Sequence, residues 1–295
     1  MTSILITGAT GFIGEKIFNF LKSKGFVVYG TSMIEESNPD IFKVDITKST
    51  DLKKIPKNID IILHLAAVRE VFGSDAENEK MCLKVNVEGS RNVAKFAAER
   101  GATHFIYISS STIYDKSKRE IKEDDLIKPK THYGHSKYLG EVYCQKVCAK
   151  SGVHITILRL SSVFGPSQKQ FLIPYILECI QDNKNIVLYG TGEGKWDLLY
   201  VKDLLDVILK VIKDKIYGTY NIGSKKLVSV KEIAEIALSV FNGSKSKIVY
   251  DAQKEENKQN TVLDTSKAEE KFGLKIKYDI RKALEDLKKE MEKKE

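Results

Sequence analysis

The stretch Ser3-Ile4-Leu5-Ile6-Thr7-Gly8-Ala9-Thr10-Gly11-Phe12-Ile13-Gly14 decides the fold. An apolar run, a glycine turn and the start of an amphipathic pattern follow one another without interruption, in the order strand, tight turn, helix. Gly8, Gly11 and Gly14 stand at G-x-x-G-x-x-G spacing. Glycine there permits the turn, close backbone approach to a pyrophosphate and close packing of the helix on the sheet. The helix N-terminus adds N–H donors and a positive end. Three glycines alone say little, but directly after a strand and before a helix they point to dinucleotide binding.

Outward from this stretch, apolar β-rich segments recur at 26–31, 41–44, 59–65, 104–109 and 154–160. Helical patterns lie between several of them, clearest at 12–24, 79–100 and 134–151. This alternation specifies an α/β fold with a doubly wound parallel sheet covered on both faces. An acid closing the second strand would bind the adenosine ribose of NAD, and an arginine nearby the extra phosphate of NADP. The strand closes instead on Gly30-Thr31-Ser32-Met33, with Ser32 at the expected acidic position and Glu35 and Glu36 beyond it. The coenzyme choice stays open between NAD and NADP.

After Leu160 the rhythm changes. Phe164-Gly165-Pro166 punctuates the chain, a helical stretch runs over 171–181, and residues 189–194 (YGTGEG) form a polar loop. We read a dinucleotide-binding domain at 1–163 and a smaller α/β substrate domain at 164–295, with residues about 197–222 candidates to pack back on the first. No Ser/Pro-rich linker or internal repeat separates the halves, so the active site is expected in the cleft between them.

The 295 residues are 42% hydrophobic and 30% charged, which argues against disorder, and no apolar run reaches the length of a spanning helix. The opening residues lack a basic leader, so export is not indicated. Cys82, Cys144, Cys148 and Cys179 are few and scattered, as expected of reduced thiols in a cytoplasm. The net charge of +8 comes from lysines interleaved with acids, a solvated surface and not a nucleic-acid stripe. The five histidines are dispersed without partners at ligand spacing, so no metal is expected.

Tyr133 and Lys137 form Y-x-x-x-K at the start of a helix, on one face. A free tyrosine titrates near pH 10, so a useful phenolate base needs stabilisation by roughly 3 to 4 kcal/mol, for which an ammonium is suited. The preceding strand ends Ser109-Ser110-Ser111-Thr112, placing hydroxyls at the sheet edge where ligands of parallel sheets bind.

With TGATGFIG at 7–14, HLAA at 64–67, SSSTIY at 109–114 and YGHSK at 133–137, the chain resembles the extended short-chain dehydrogenase/reductases, and more closely their nucleotide-sugar epimerase/dehydratase branch. Residues 159–166 (RLSSVFGP) and Asn221-Ile222-Gly223 match further landmarks of that branch. The resemblance implies a Rossmann-type fold in which Tyr133 is the acid/base, Lys137 lowers its pKa and holds the nicotinamide ribose, and Ser110 hydrogen-bonds the reacting oxygen. It further implies that Gly8, Gly11, Phe12, Ile13 and Gly14 hold the pyrophosphate, with Ser32 at the adenosine ribose and Asp45 and Ile46 at the adenine. Leu65, Ala66 and Ala67 would line the middle of the cofactor, with Arg69 near its phosphates and Asn86 near its ribose. Ser110, Ser111, Thr112, Tyr133, Ser162 and Lys195 would contact the substrate. A nucleotide-sugar substrate and a homodimer through the helices at 79–100 and 134–151 are implied as well.

Departures bear on the subtype. Dehydratases of this branch carry an Asp-Glu pair where Ser111-Thr112 stands here, which disfavours elimination of water. Trp196-Asp197 replaces the arginine-aspartate pair whose arginine clamps the substrate diphosphate, and residues 252–258 (AQKEENK) replace a second arginine. Lys195, Lys254 or Lys258 would substitute only as point charges. Ser162 replaces the asparagine usual before the turn at 163–166. The leading expectation is a nucleotide-sugar epimerase, similar to UDP-glucose 4-epimerase, acting through a transient 4-keto sugar. The alternatives are an NADPH-dependent reductase of a 4-keto nucleotide sugar or other carbonyl, favoured by Ser32 and the missing arginines, and a cofactor-sensing protein without turnover.

Overall fold

The computed structural model describes residues 1–69, 74–117, 119–256 and 260–293. In chain order it opens with β1 (Ser3–Thr7), α1 (Phe12–Ser23), β2 (Val27–Ser32), β3 (Ile41–Lys43) and β4 (Ile61–His64). There follow α2 (Asp75–Cys82), a π-helical turn (Leu83–Gly89), α3 (Ser90–Glu99), β5 (His104–Ser110), β6 (Glu120–Ile121), α4 (His132–Ser151) and β7 (His154–Leu160). The remainder is β8 (Ser162–Phe164), α5 (Leu172–Gln181), β9 (Ile186–Tyr189), β10 (Lys195–Tyr200), α6 (Val201–Lys213), β11 (Gly218–Ile222) and β12 (Leu227–Ser229). It closes with α7 (Val230–Val240), β13 (Ile248–Asp251), β14 (Val262–Leu263), α8 (Ser266–Phe272) and α9 (Ile280–Glu292).

Two compact units result. The first comprises Met1–Asp115, Glu123–Leu160 and Leu205–Tyr220. Its sheet has the order β11-β7-β5-β4-β1-β2-β3, and the six strands from β7 to β3 pair in parallel. Every residue of β1 and β4 is buried, as a sheet covered on both faces requires. Leu5, Ile62, Phe105 and Tyr107 from the strands pack with Val93, Ala97, Cys144 and Cys148 from α3 and α4. β1 is flanked by β4 and β2, so the direction of winding reverses beside it, and the loops after β1 and β4 open at the edge where such sheets bind ligands.

The helical pattern expected over 79–100 is continuous in the structure but not uniform, because its middle is π-helical. α2 starts at a capping box on Ser74 and Glu77, and α3 begins only at Ser90, after the π-helical turn. Gly89 sits at that turn because a Cβ there would come within 2.8 Å of the Ile46 side chain. The extra residue in the turn carries Asn86 inward, an arrangement frequent at functional sites.

The second unit comprises Lys116–Lys122, Ser161–Leu204 and Asn221–Glu295. Three strands in the order β12-β10-β8 and two pairs, β13-β9 and β14-β6, make its sheets. Ile176, Ile180, Ile186, Tyr200, Ile233 and Leu284 lie in its core. No helix among the described residues is long and apolar enough to cross a membrane.

Candidate active site

The glycine turn is shaped for a group that needs the backbone close. Gly8 has φ +73°, and a Cβ there would lie 3.0 Å from both the Cα and the N of Ala66. At Gly14 a Cβ would lie 2.1 Å from the Gly8 carbonyl oxygen, so α1 can start where it does only with glycine. Gly11 caps α1 without a side-chain acceptor, leaving first-turn N–H groups to an incoming anion. Phe12 and Ile13 follow half-buried in the first turn.

At the end of β2 the buried Ser32 hydroxyl accepts from the Thr10 hydroxyl at 3.3 Å and donates to a Glu36 carboxylate oxygen at 3.3 Å. An acidic group therefore stands beside Ser32, although Glu36 comes four residues later. Sequence spacing alone does not reveal this, because it depends on the path of the loop. Asp45 turns its carboxylate to the backbone N–H (3.0 Å) and hydroxyl (2.7 Å) of Thr47, and Ile46 is buried against Gly89.

The loop after β4 is held by a chain of buried polar groups. The Thr7 hydroxyl meets His64 Nδ1 at 2.6 Å, His64 Nε2 meets the Ser90 hydroxyl at 2.8 Å, and that hydroxyl donates to the Asn86 carbonyl at 2.6 Å. Since Ser90 spends its proton on Asn86, it accepts from Nε2–H, and Nδ1 accepts from Thr7. Thr7 in turn accepts from the Ala66 N–H at 3.3 Å. Leu65 and Ala66 are thereby fixed half-buried, while Ala67 and Arg69 are exposed. The Asn86 amide bonds both the N–H (2.8 Å) and the carbonyl (2.7 Å) of Val68 and donates to the Ser136 hydroxyl at 2.8 Å. Its donors are fully engaged by the protein, so it anchors this loop to α4.

α4 begins at Thr131, whose hydroxyl accepts from the Gly134 N–H at 3.0 Å, which puts Tyr133 in the first turn and Lys137 one turn on. Gly134 lets α4 approach the turn after β5, since a Cβ there would lie 2.5 Å from the Thr112 carbonyl oxygen. In that turn Ser110 Oγ accepts from the Thr112 N–H (3.2 Å) and the Thr112 hydroxyl (3.0 Å). Its own proton is left to donate, and the nearby Ser110 hydroxyl opposes the rise that burial imposes on the Tyr133 phenol. Ser111 and Thr112 are half-buried there.

Burial raises the Tyr133 pKa above the ordinary phenol value, and Arg69 and the Ser110 hydrogen bond oppose that rise. The Arg69 guanidinium lies 5.9 Å from the Tyr133 ring centroid. Lys137 is buried with its ammonium 4.2 Å from the Tyr107 ring centroid, and burial brings its pKa down to about 8 against the pull of Cys144 and Glu141. Arg69 and Ser110 thus oppose the rise at Tyr133, and Lys137 stands one turn further along the same helix. Glu141, one turn beyond Lys137, pairs with Arg159 of β7 through contacts of 2.8 and 3.1 Å, which fixes α4 against the sheet.

In the second unit, the pair Trp196-Asp197 has two separate roles. Asp197 is buried and accepts from the N–H and hydroxyl of Ser224, both at 2.7 Å, and from the Leu263 N–H at 3.1 Å; burial raises its pKa despite these bonds. Trp196 lines a cavity of about 490 Å³ with Phe171, Tyr175, Tyr189, Lys254 and Glu256. Lys254 sits 4.6 Å from the Tyr189 ring centroid. Phe171 holds φ +82°, a strained conformation for a side-chain-bearing residue, with its ring exposed at the cavity. Ser162 pairs with Leu198 at the start of β8, and Lys195 lines a different cavity. Lys258 lies outside the described residues.

The NAD dependent epimerase/dehydratase family matches residues 4–223. The chain belongs to that family. Among family members, the putative UDP-glucose 4-epimerase of Methanocaldococcus jannaschii is 28% identical over 295 residues, covering 95% of this chain and 95% of the relative. The dTDP-4-dehydro-6-deoxyglucose reductase of Escherichia coli is 27% identical, covering 92% and 91%. Among solved structures, UDP-glucuronic acid 4-epimerase from Bacillus cereus, in complex with UDP-glucuronic acid and NAD, superimposes with a TM-score of 0.86 at 25% identity over 100% of both chains.

Membership makes this chain an NAD-dependent enzyme of the epimerase/dehydratase type, and the glycine cradle fits that cofactor. Family motifs give no warning of Glu36, of the Glu141–Arg159 pair or of the aromatic cavity. Periodicity reads Phe171 and Tyr175 only as apolar positions of one helical stretch and Trp196 as one of a separate strand.

Proposed function

We propose that this enzyme is a nucleotide-sugar 4-epimerase that retains its NAD, with the first unit as cofactor domain and the second as substrate domain. The gathering of Ser110, Thr112, Tyr133 and Lys137 at the end of β5 and the start of α4 carries this reading. When bound, NAD supplies reversible hydride acceptance. Gly8, Gly11, Phe12, Ile13 and Gly14 would hold its pyrophosphate, with Ser32, Asp45 and Ile46 toward the adenosine and Leu65, Ala66, Ala67 and Lys137 toward the nicotinamide half. Tyr133 takes the proton of the sugar hydroxyl and later returns it. Ser110, its oxygen filled by Thr112, directs its proton toward the phenolate and the reacting oxygen, and Arg69 adds positive charge beside the ring.

The aromatic cavity suits a nucleobase, with Trp196 and Tyr189 as stacking faces and Lys254 as a point charge for phosphate. Binding energy from that remote group would hold the sugar for both faces of its keto form. Relatives that act on UDP-sugars support the class of substrate. The NADPH reductase reading drew on Ser32; the carboxylate of Glu36 beside it disfavours a 2′-phosphate and so favours NAD. A homodimer through α3 and α4 fits the exposed Leu83 and Tyr143 on or beside those helices, and the cytoplasm fits four buried free cysteines.

The test is to denature the purified protein, identify any released dinucleotide by mass spectrometry, and then assay interconversion of UDP-sugar epimers. We expect stoichiometric NAD, and loss of turnover by roughly 10²- to 10⁴-fold in Tyr133→Phe with NAD still bound. Loosely held NADP, with keto-sugar-dependent NADPH oxidation, would establish the reductase instead.

A further inference from the structure

We infer that the second unit carries a binding site for a small phosphate ester, on the face of β10 opposite the aromatic cavity. Lys195 and Trp196 are neighbours on β10, so their side chains leave opposite faces of the strand. Trp196 faces the aromatic cavity, and Lys195 faces a concavity of about 940 Å³. Among the described residues, Lys116, Arg119, Lys195 and Lys225 line it against a single carboxylate, Glu193. Lys225 is paired with Glu269 at 2.8 Å, but neither Arg119 nor Lys195 forms an ion pair with any described residue. A concave wall on which cations outnumber carboxylates favours an anion, and the forked guanidinium matches a phosphate. Asn260, Thr261 and Ser117 add neutral polar groups suited to hydroxyls, and the volume far exceeds what inorganic phosphate needs.

The walls are built, not loosely assembled. The buried Asp197, on the same side of β10 as Lys195, bonds Ser224 immediately before Lys225 and Leu263 immediately after Val262. The 260–262 segment in turn holds the segment bearing Arg119: the Val262 N–H bonds the Arg119 carbonyl at 2.8 Å, and the Thr261 hydroxyl bonds the Lys116 carbonyl at 3.3 Å. β14 then pairs with β6. One carboxylate thus ties together the three segments that present the cations, which lowers the ordering cost of binding.

The experiment is a calorimetric titration of the full NAD-loaded enzyme with glucose 1-phosphate, repeated with inorganic phosphate and in the presence of saturating UDP. We expect saturable one-to-one binding that persists in UDP, with at least tenfold weaker binding of inorganic phosphate. Arg119→Glu should weaken the ester at least tenfold. Lys245→Glu, an equal charge change at an exposed lysine outside this cavity, should weaken it less than twofold. Circular dichroism melting confirms that both variants are folded. Absence of saturable binding, displacement by UDP, inorganic phosphate binding as tightly as the ester, or equal losses in the two variants would each overturn the proposal.

Discussion

His64 is neutral by construction, because its Nδ1 accepts from Thr7 while its Nε2 donates to Ser90, and burial takes its pKa down to about 3, with Lys137 adding to the effect. The unfolded chain binds a proton there near pH 6.5 and the folded chain does not, so this stability is complete above pH 6.5 and is lost as pH falls toward 3. At pH 5 the loss is about 2 kcal/mol. His64→Gln, which can still span Thr7 and Ser90, should flatten the dependence of the unfolding free energy, read from urea titrations, on pH between 7 and 5 by about that amount. Coenzyme choice is also a residue-scale matter. Glu36→Gln removes the charge beside Ser32 and should narrow the preference for NAD over NADP at least fivefold in competitive binding; an unchanged ratio would remove Glu36 from the adenosine site.

Among the elements, α4 reaches the turn after β5 only because Gly134 carries no Cβ. Gly134→Ala must push the Thr112 carbonyl back from 2.5 Å, separating Ser110 from Tyr133. A displacement of that order should cost kcat roughly tenfold to a hundredfold while bound NAD stays stoichiometric, measured by turnover beside released dinucleotide. The strands β1, β5 and β7 were legible as apolar runs because both of their faces are buried, and Tyr133 and Lys137 because they share a helix face close in sequence. The π-helical turn was not legible. Its causes, Val68 for Asn86 and Ile46 for Gly89, are distant in sequence, and the chain at 79–100 carries an unbroken helical pattern through it. Nor was the aromatic cavity, which needs β9, β10 and α5 to be placed before its rings meet.

For the whole molecule, each unit should answer to its own ligand. Addition of NAD at about one hundred times Kd to protein stripped of cofactor should stabilise the first unit by about 2.7 kcal/mol and raise its transition by roughly 5 to 10 °C in a calorimetric scan. A scan that NAD leaves unmoved would count against the glycine cradle as its site. Neither unit is continuous in sequence, and the first is completed only by Leu205–Tyr220, which brings β11 to the edge of β7. On the ribosome this imposes a wait. At about 5 to 20 residues per second, the stretch from Ser161 to Gly218 takes on the order of 3 to 11 s to synthesise. For an interval of that length the nascent chain presents β7 as an unpaired apolar edge, open to pairing with other chains until β11 covers it.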